Sequence, residues 1–248
     1  MTVKDASRPS QATNQWFSLT VTNPFTPVLG TYTGLILQTN NLPASASSGF
    51  IQIVLASNGG FAGNLTLNGV KTAYRGQFDL SGNATNTVAG TSVAVNLGLR
   101  MNPGTILGTV TGTNFTSVLL AELPDVSQTW TGKYTLALSP ADVTVTNLPQ
   151  GYRYATLTVS KTGSASLNGV LNDGTGLTAQ APVTQSGTWP LYVSLYNKAG
   201  ACISWVTLTN GTVSGVVDWF APASKAYQAF STTLGLTGSL YTTGLQWE

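Results

Sequence analysis

The sequence contains no histidine, and this absence removes most of the common catalytic arrangements. Histidine is the usual general base near neutral pH and a frequent zinc ligand, so His-containing triads and most zinc sites are excluded. The chain also lacks the Gly-x-Ser-x-Gly elbow and the Ser-x-x-Lys dyad of serine-dependent hydrolases. We therefore expect a protein that is not an enzyme and that carries no cofactor or metal ion.

Charged residues are scarce. They make up 7% of the 248 residues, whereas a typical soluble domain contains roughly 25%. The net charge is +2, and the Lys and Arg residues stand singly along the chain. Nucleic-acid binding requires a basic stripe that neutralises phosphates, so no nucleic-acid partner is expected. The polar character comes instead from Thr, Ser, Asn and Gly, which suit β surfaces and turns.

Cys202 is the only cysteine, so an intrachain disulfide is excluded. Its apolar, strand-like surroundings predict a buried structural thiol in preference to a reactive one. No segment approaches the ~20 apolar residues of a membrane-spanning helix, and residues 1–15 lack the apolar region of a signal peptide. This polar leader suggests a piece of a longer protein. A domain of this size does not need disulfides outside the cell.

An alternation of apolar and polar residues is the main pattern that the sequence does contain. Val93, Val95, Leu97 and Leu99, for example, share one face of a predicted strand. Turn signals separate the alternating runs: Asn58-Gly59-Gly60, Asn68-Gly69, Asn102-Pro103-Gly104, Asp173-Gly174, Lys198-Ala199-Gly200 and Asn210-Gly211. Such turns join antiparallel neighbours. The pattern predicts an all-β fold built from antiparallel meanders of about seven and about eight strands.

Similar segments recur about a hundred residues apart, which indicates internal duplication. Gly69 and Gly82 align with Gly174 and Gly187 at one common offset. We expect two tandem units, each a small β-barrel or sandwich that hides its edge strands, with one composite barrel as the alternative. The predicted boundaries are a leader and the end of a preceding segment at 1–29, unit 1 at 30–123, a linker at 124–130 and unit 2 at 131–248. The last strand, 230–241, is expected to seal unit 2.

Several segments resemble a known family. They are FAGNLTLNGVKTAYRGQFDLSGNAT, GYRYATLTVSKTGSASLNGVLNDGT, WPLYVSLYNKAG and VVDWFAPA. They look like a tandem β module of very large secreted or surface proteins of Verrucomicrobia and related bacteria. The resemblance covers the chain from Gly30 to Tyr241. It implies an extracellular or cell-surface location and carries over no functional residue, because the family has no assigned activity.

Aromatic residues cluster in the second unit and are the candidate ligand-binding residues: Trp189, Tyr192, Tyr196, Trp205 and Trp219. Exposed aromatic rings beside Asn and Thr are suited to stacking on sugars, but aromatic residues also dominate β cores. Because Trp189 shares a face with Leu191 and Val193, we favour the core interpretation for the tryptophans. Tyr192 and Tyr196 are predicted to lie together on the opposite face and are the better candidates for exposure.

Among the carboxylates, Asp79 and Asp218 are the pair that could converge as in a glycosidase. Both are expected in strands, where a solvent-facing position explains them better. The preferred function is a non-catalytic structural or adhesive module of a secreted or surface bacterial protein, with polysaccharide or other surface proteins as partners. A carbohydrate-binding module is one alternative. An outer-membrane β-barrel is another, since the strand count and low charge permit it, although clear aromatic girdles are missing.

Overall fold

The computed structural model describes residues 2–4, 12–14, 16, 18, 22–38, 44–127, 129–140, 144 and 148–241. Residues 1, 5–11, 15, 17 and 19–21 of the predicted leader lie outside the described residues, as does the predicted end of unit 2 at 242–248. Within the described part, strand β1 (Thr2–Lys4) pairs with β2 (Ala12–Asn14). The remaining strands form two larger antiparallel sheets, and the only helical segments described are three short 3₁₀ turns at Thr26–Val28, Ser45–Ser47 and Tyr196–Lys198.

The first sheet contains eight strands in the order β6-β5-β4-β3-β10-β9-β8-β7. It is therefore a meander whose first and last strands, β3 and β10, pair with each other. The two ends of the sheet are β6 and β7, which follow each other in the chain. The strands are β3 (Gly30–Leu37), β4 (Gly49–Leu55), β5 (Gly60–Leu67), β6 (Val70–Gln77), β7 (Asn83–Thr87), β8 (Ala94–Met101), β9 (Gly104–Thr111) and β10 (Thr116–Glu122).

The second sheet repeats this plan in the order β14-β13-β12-β11-β18-β17-β16-β15. Its last strand pairs with both β11 and β17, which confirms that the C-terminal strand returns to seal the sheet. The strands are β11 (Gly132–Pro140), β12 (Arg153–Val159), β13 (Ser164–Val170), β14 (Gly176–Pro182), β15 (Thr188–Leu195), β16 (Gly200–Thr209), β17 (Thr212–Ala221) and β18 (Phe230–Leu240).

The fold is thus all-β, with two nearly barrel-shaped sheets in a duplicated arrangement. Local details also recur. The Tyr32 hydroxyl donates to the Val28 carbonyl at 2.8 Å, and the Tyr134 hydroxyl donates to the Trp130 carbonyl at 2.8 Å. Both tyrosines lie near the start of the first strand of their sheet, so the same side-chain contact fixes the entry into each sheet.

The glycines that align in the sequence occupy matching places in the structure. Gly69 lies in the β5–β6 turn and Gly174 in the β13–β14 turn, while Gly82 precedes β7 and Gly187 precedes β15. All four have a positive φ, between 69° and 89°. Glycine adopts this conformation without the steric penalty of a Cβ atom.

Each sheet encloses its own apolar core, because alternate side chains of every strand point to the inside. The first core includes Tyr32, Ile51, Phe61 and Phe78. The second includes Leu157, Leu167, Trp189, Val206 and Trp219. The largest side chains therefore fill the barrels.

A third, smaller core joins the two sheets. It is built from Leu35 of the first sheet with Ala201, Ile203 and Phe220 of the second, and Phe50 packs against it. These residues occupy outward positions of their own strands, where alternation alone predicts contact with solvent. The two sheets therefore share an apolar junction.

Candidate functional site

Trp189 and Trp219 lie inside the second sheet and are both 0% exposed. The Trp189 indole donates to the Ala181 carbonyl at 3.1 Å, which ties β15 to β14 across the two ends of the sheet. Trp219 makes an edge contact with the Phe230 ring, with 4.9 Å between centroids. Neither indole is available to a ligand in this conformation.

Tyr192 and Trp205 both pack against the junction core and are only partly accessible. The Tyr192 ring stacks on Phe50 of the first sheet, with 6.4 Å between centroids and 21° between planes. Its hydroxyl accepts a hydrogen bond from the Gly69 amide at 3.0 Å. Two of the five predicted ligand-binding residues thus take part in sheet-to-sheet contact.

Tyr196 does not share a face with Tyr192, in contrast to the expectation from strict alternation. Strand β15 ends at Leu195, and the next three residues, Tyr196, Asn197 and Lys198, have φ values of 51°, 53° and 74°. This left-handed turn reverses the direction of the side chain, so Tyr196 packs against the core of the second sheet. Three consecutive non-glycine residues in this region store conformational strain that their surroundings must offset.

The Tyr196 hydroxyl lies at the centre of a hydrogen-bonded chain. It donates to the Asp173 carboxylate at 2.6 Å and accepts from the Trp219 indole at 3.0 Å. Thr175 donates to the same carboxylate through its hydroxyl and its backbone amide. Burial, and next the bond to Asp173, raise the pKa of Tyr196, so the phenol stays protonated. These hydrogen bonds fasten the β13–β14 turn to the end of β15. The sequence prediction placed Tyr196 elsewhere because no sequence signal marks the left-handed turn.

Cys202 is fully buried near these hydrogen-bonded residues. Burial raises the pKa of its thiol well above the usual value, and the negative charges of Asp173 and Asp218 act in the same direction. The thiolate is the reactive form of cysteine. The position therefore belongs to the core, in line with the structural interpretation of this residue.

The two carboxylates considered as a glycosidase pair belong to different units: Asp79 to the first and Asp218 to the second. Asp79 is not in a strand: it lies in the β6–β7 turn and accepts from the Ser81 and Asn83 amides. Asp218 lies in β17, opposite Ile203 and Thr233, and burial raises its pKa. Over the described ranges, no group of three or more His, Cys, Asp or Glu residues could hold a metal ion.

The first sheet is open between β6 and β7. Two depressions of about 410 and 640 Å³ lie on its outer side and share Ala62 and Arg75. The Asn86 side chain spans the opening and donates to the Arg75 carbonyl at 3.2 Å. Below it the Tyr74 hydroxyl is buried and has no hydrogen-bond partner in the described part of the chain.

The most exposed aromatic pair of the second sheet lies on β12 and just before it. Tyr152 and Tyr154 are 63% and 71% exposed. They were not among the predicted site residues. A signal for them exists in the sequence, because Ala155, Leu157 and Val159 point inward and so place the even-numbered side chains of β12 outside.

Comparisons with known proteins identify no relative that assigns a function. No family model and no curated protein matches the chain. Among solved structures, it is similar to a protein of unknown function of the DUF3598 family from Nostoc punctiforme, at 10% identity and a TM-score of 0.28. The match covers 88% of this chain and 98% of that protein. In the part of the chain that is described, no helix is long and apolar enough to cross a membrane.

Proposed function

We propose that the chain is a non-catalytic structural or adhesive module in which the two sheets act as one rigid unit. The main support for this proposal is the apolar junction between the two sheets. Ile203 and Phe220 of the second sheet are buried against Leu35 of the first. A continuous apolar contact of this kind opposes hinge motion between domains.

The predicted linker supports the same proposal. The Asp125 amide donates to the Val183 carbonyl at 2.8 Å, and the Gln185 amide donates to the Leu123 carbonyl at 2.9 Å. Pro124 forms an isolated β-bridge with Thr184. The connecting segment is therefore hydrogen-bonded to the loop between β14 and β15, which restricts the relative motion of the two sheets.

The surface chemistry favours a location outside the cell or at its surface. The outward positions of the second sheet carry mainly Thr, Ser and Asn, including Thr135, Thr158, Thr207, Thr209 and Thr237. Together with the resemblance of the sequence to a module of secreted bacterial proteins, this composition supports a role in the architecture of a surface protein. In this role the aromatic residues of the second unit stabilise the sheet core and the junction by packing.

Rigidity can be tested by measuring the distance between spin labels in the two sheets. Ala73→Cys in β6 and Ser214→Cys in β17 introduce exposed attachment sites. The native Cys202 is buried, so the reagent should modify only the introduced residues. We expect a narrow distance distribution from pulsed electron spin resonance.

The matched variant adds Ile203→Asp, which places a charge in the junction while leaving the interior positions of β16 unchanged. This variant should broaden the distribution. A broad distribution without Ile203→Asp would contradict the rigid unit. Labelling intact producing cells with an antibody to the chain tests the surface location, and the absence of labelling would contradict it.

A further inference from the structure

Strands β12, β13 and β14 present an uncharged outer face in three rows. The register pairs Thr156 with Asn168, and Asn168 with Thr178. The same register sets the neighbouring rows two residues away along each strand. We call this surface the β12–β14 face; its rows are Tyr154, Val170 and Gly176; Thr156, Asn168 and Thr178; and Thr158, Ser166 and Gln180.

One end of the β12–β14 face is aromatic and accessible. Tyr154 is 71% exposed and Tyr152, immediately before the strand, is 63% exposed. Val170, the adjacent residue on β13, is also exposed. A Cβ atom built on Gly174 or Gly176 would meet no atom within 4 Å, so the space beside these side chains is open. Tyrosine combines an apolar ring with a polar tip, which suits a ligand that has both kinds of surface.

The other end of the face is a polar groove. A depression of about 350 Å³ is lined by Ser166, Asn168, Thr178 and Gln180, together with Leu167 and Ala179. Amide side chains both donate and accept hydrogen bonds, and hydroxyl groups do the same. The nine positions include no charged residue. The nearest cation on an adjoining strand is the exposed Lys133, which pairs with Thr158 at the edge of the face. The hydroxyl and amide groups of the face itself are complementary to a ligand rich in hydroxyl groups.

We propose that the β12–β14 face binds a neutral polysaccharide. The rings of Tyr152 and Tyr154 pack against the C–H face of one sugar unit. Asn168 and Gln180 exchange hydrogen bonds with the hydroxyl groups of another. Residues of successive rows are about 6.6 Å apart along each strand, and neighbouring strands are about 4.8 Å apart. The face therefore offers a regular set of contacts to an extended polymer.

This site is separate from the five aromatic residues that the sequence singled out. It lies on β12 to β14, whereas the junction of the rigid unit involves β15, β16 and β17 of the second sheet. The two proposals can therefore fail independently. Loss of rigidity appears in the spin-label distances, and loss of sugar binding appears in the measurement below.

The test is affinity gel electrophoresis of the full chain in gels containing one soluble polysaccharide each. The neutral probes are a β-1,3-glucan, xyloglucan, galactomannan and soluble starch, and the anionic probe is polygalacturonate. We expect at least one neutral polymer to retard the protein, in a manner that does not depend on salt. Tyr154→Ala and Asn168→Ala should each weaken the apparent affinity by about tenfold or more.

Tyr241→Ala is the matched control, because Tyr241 is 62% exposed and lies outside the β12–β14 face. It should behave like the unmodified chain. Because the substituted side chains are exposed, all variants should keep the same unfolding midpoint. Retardation by none of the neutral polymers overturns the proposal. So does equal retardation of Tyr154→Ala and the unmodified chain, or salt-sensitive retardation by polygalacturonate alone.

Discussion

The Gly69 amide donates a hydrogen bond to the Tyr192 hydroxyl at 3.0 Å, across 123 residues of sequence. Gly69 lies in the β5–β6 turn of the first sheet and Tyr192 in β15 of the second. Burial raises the pKa of the Tyr192 phenol, and the bond from Gly69 acts in the opposite direction. The contact therefore joins a neutral phenol to a backbone amide at the junction of the two sheets.

Replacing Tyr192 by Phe should destabilise the protein by about 1 kcal/mol, because the Gly69 amide loses its acceptor at a partly buried site. The measurement is the free energy of unfolding in urea. Tyr154→Phe is the control, since the Tyr154 ring is largely in solvent. Equal stability of Tyr192→Phe and the unmodified chain would show that this bond contributes nothing.

Gly69→Ala should cost more stability than Gly174→Ala. Both glycines have a positive φ, so each substitution introduces about 1–2 kcal/mol of backbone strain. At Gly69 the new Cβ atom would also lie 2.5 Å from the Ser194 hydroxyl and 2.8 Å from Lys198 Cβ, whereas at Gly174 it meets nothing within 4 Å. We expect a further loss of about 1 kcal/mol or more for Gly69→Ala. Equal losses in urea unfolding would contradict the close contact between the sheets.

The strand pattern and the turn residues predicted most of the fold. Each of the six turn signals lies between two consecutive strands that pair, as for Asn68-Gly69 between β5 and β6. The aligned glycines, such as Gly69 and Gly174, occupy matching turns. These features depend on local conformational preferences, which the sequence carries directly.

The surroundings of the candidate site residues could not be predicted to the same extent, because they depend on contacts between segments that are distant in the sequence. Ile203 and Phe220 occupy outward positions of their strands, and no local pattern indicates that they pack against the other sheet. Strict alternation predicts that Tyr196 lies on the outside of the sheet. In the structure it lies inside, because a left-handed turn that contains no glycine redirects its side chain. Tyr154 lies outside the tryptophan-rich segment where the aromatic residues cluster, although the inward positions of β12 already indicate its exposure.

Asp218→Asn should raise stability at neutral pH and flatten its dependence on pH. Burial raises the pKa of Asp218 in the folded chain, so the folded state holds this proton more tightly than the unfolded state. Stability from this group is therefore greatest below the ordinary aspartate pKa, and it falls as the pH rises through the folded pKa. Unfolding free energies between pH 3 and pH 7, a range set by the aspartate values, test this. A lower stability of Asp218→Asn at pH 7 would contradict it.

The Cys202 thiol should react with an aromatic disulfide reagent only when the second sheet opens. The side chain is fully buried, and burial together with Asp173 and Asp218 suppresses the thiolate. When opening and closing are fast, the labelling rate follows the population of the open form. Tyr196→Phe removes the hydroxyl that joins Trp219 to Asp173, and a loss of about 1.4 kcal/mol would speed labelling about tenfold.

Absorbance at the released thiolate band measures the rate, with the protein in urea as the fully reactive reference. Tyr154→Phe is the control for Tyr196→Phe, because its hydroxyl lies on a largely exposed ring and should leave the rate unchanged. If the unmodified native chain reacted as fast as the unfolded one, Cys202 would have to be accessible. If both Phe variants accelerated labelling equally, the Tyr196 hydroxyl would not be what holds this end of the second sheet closed.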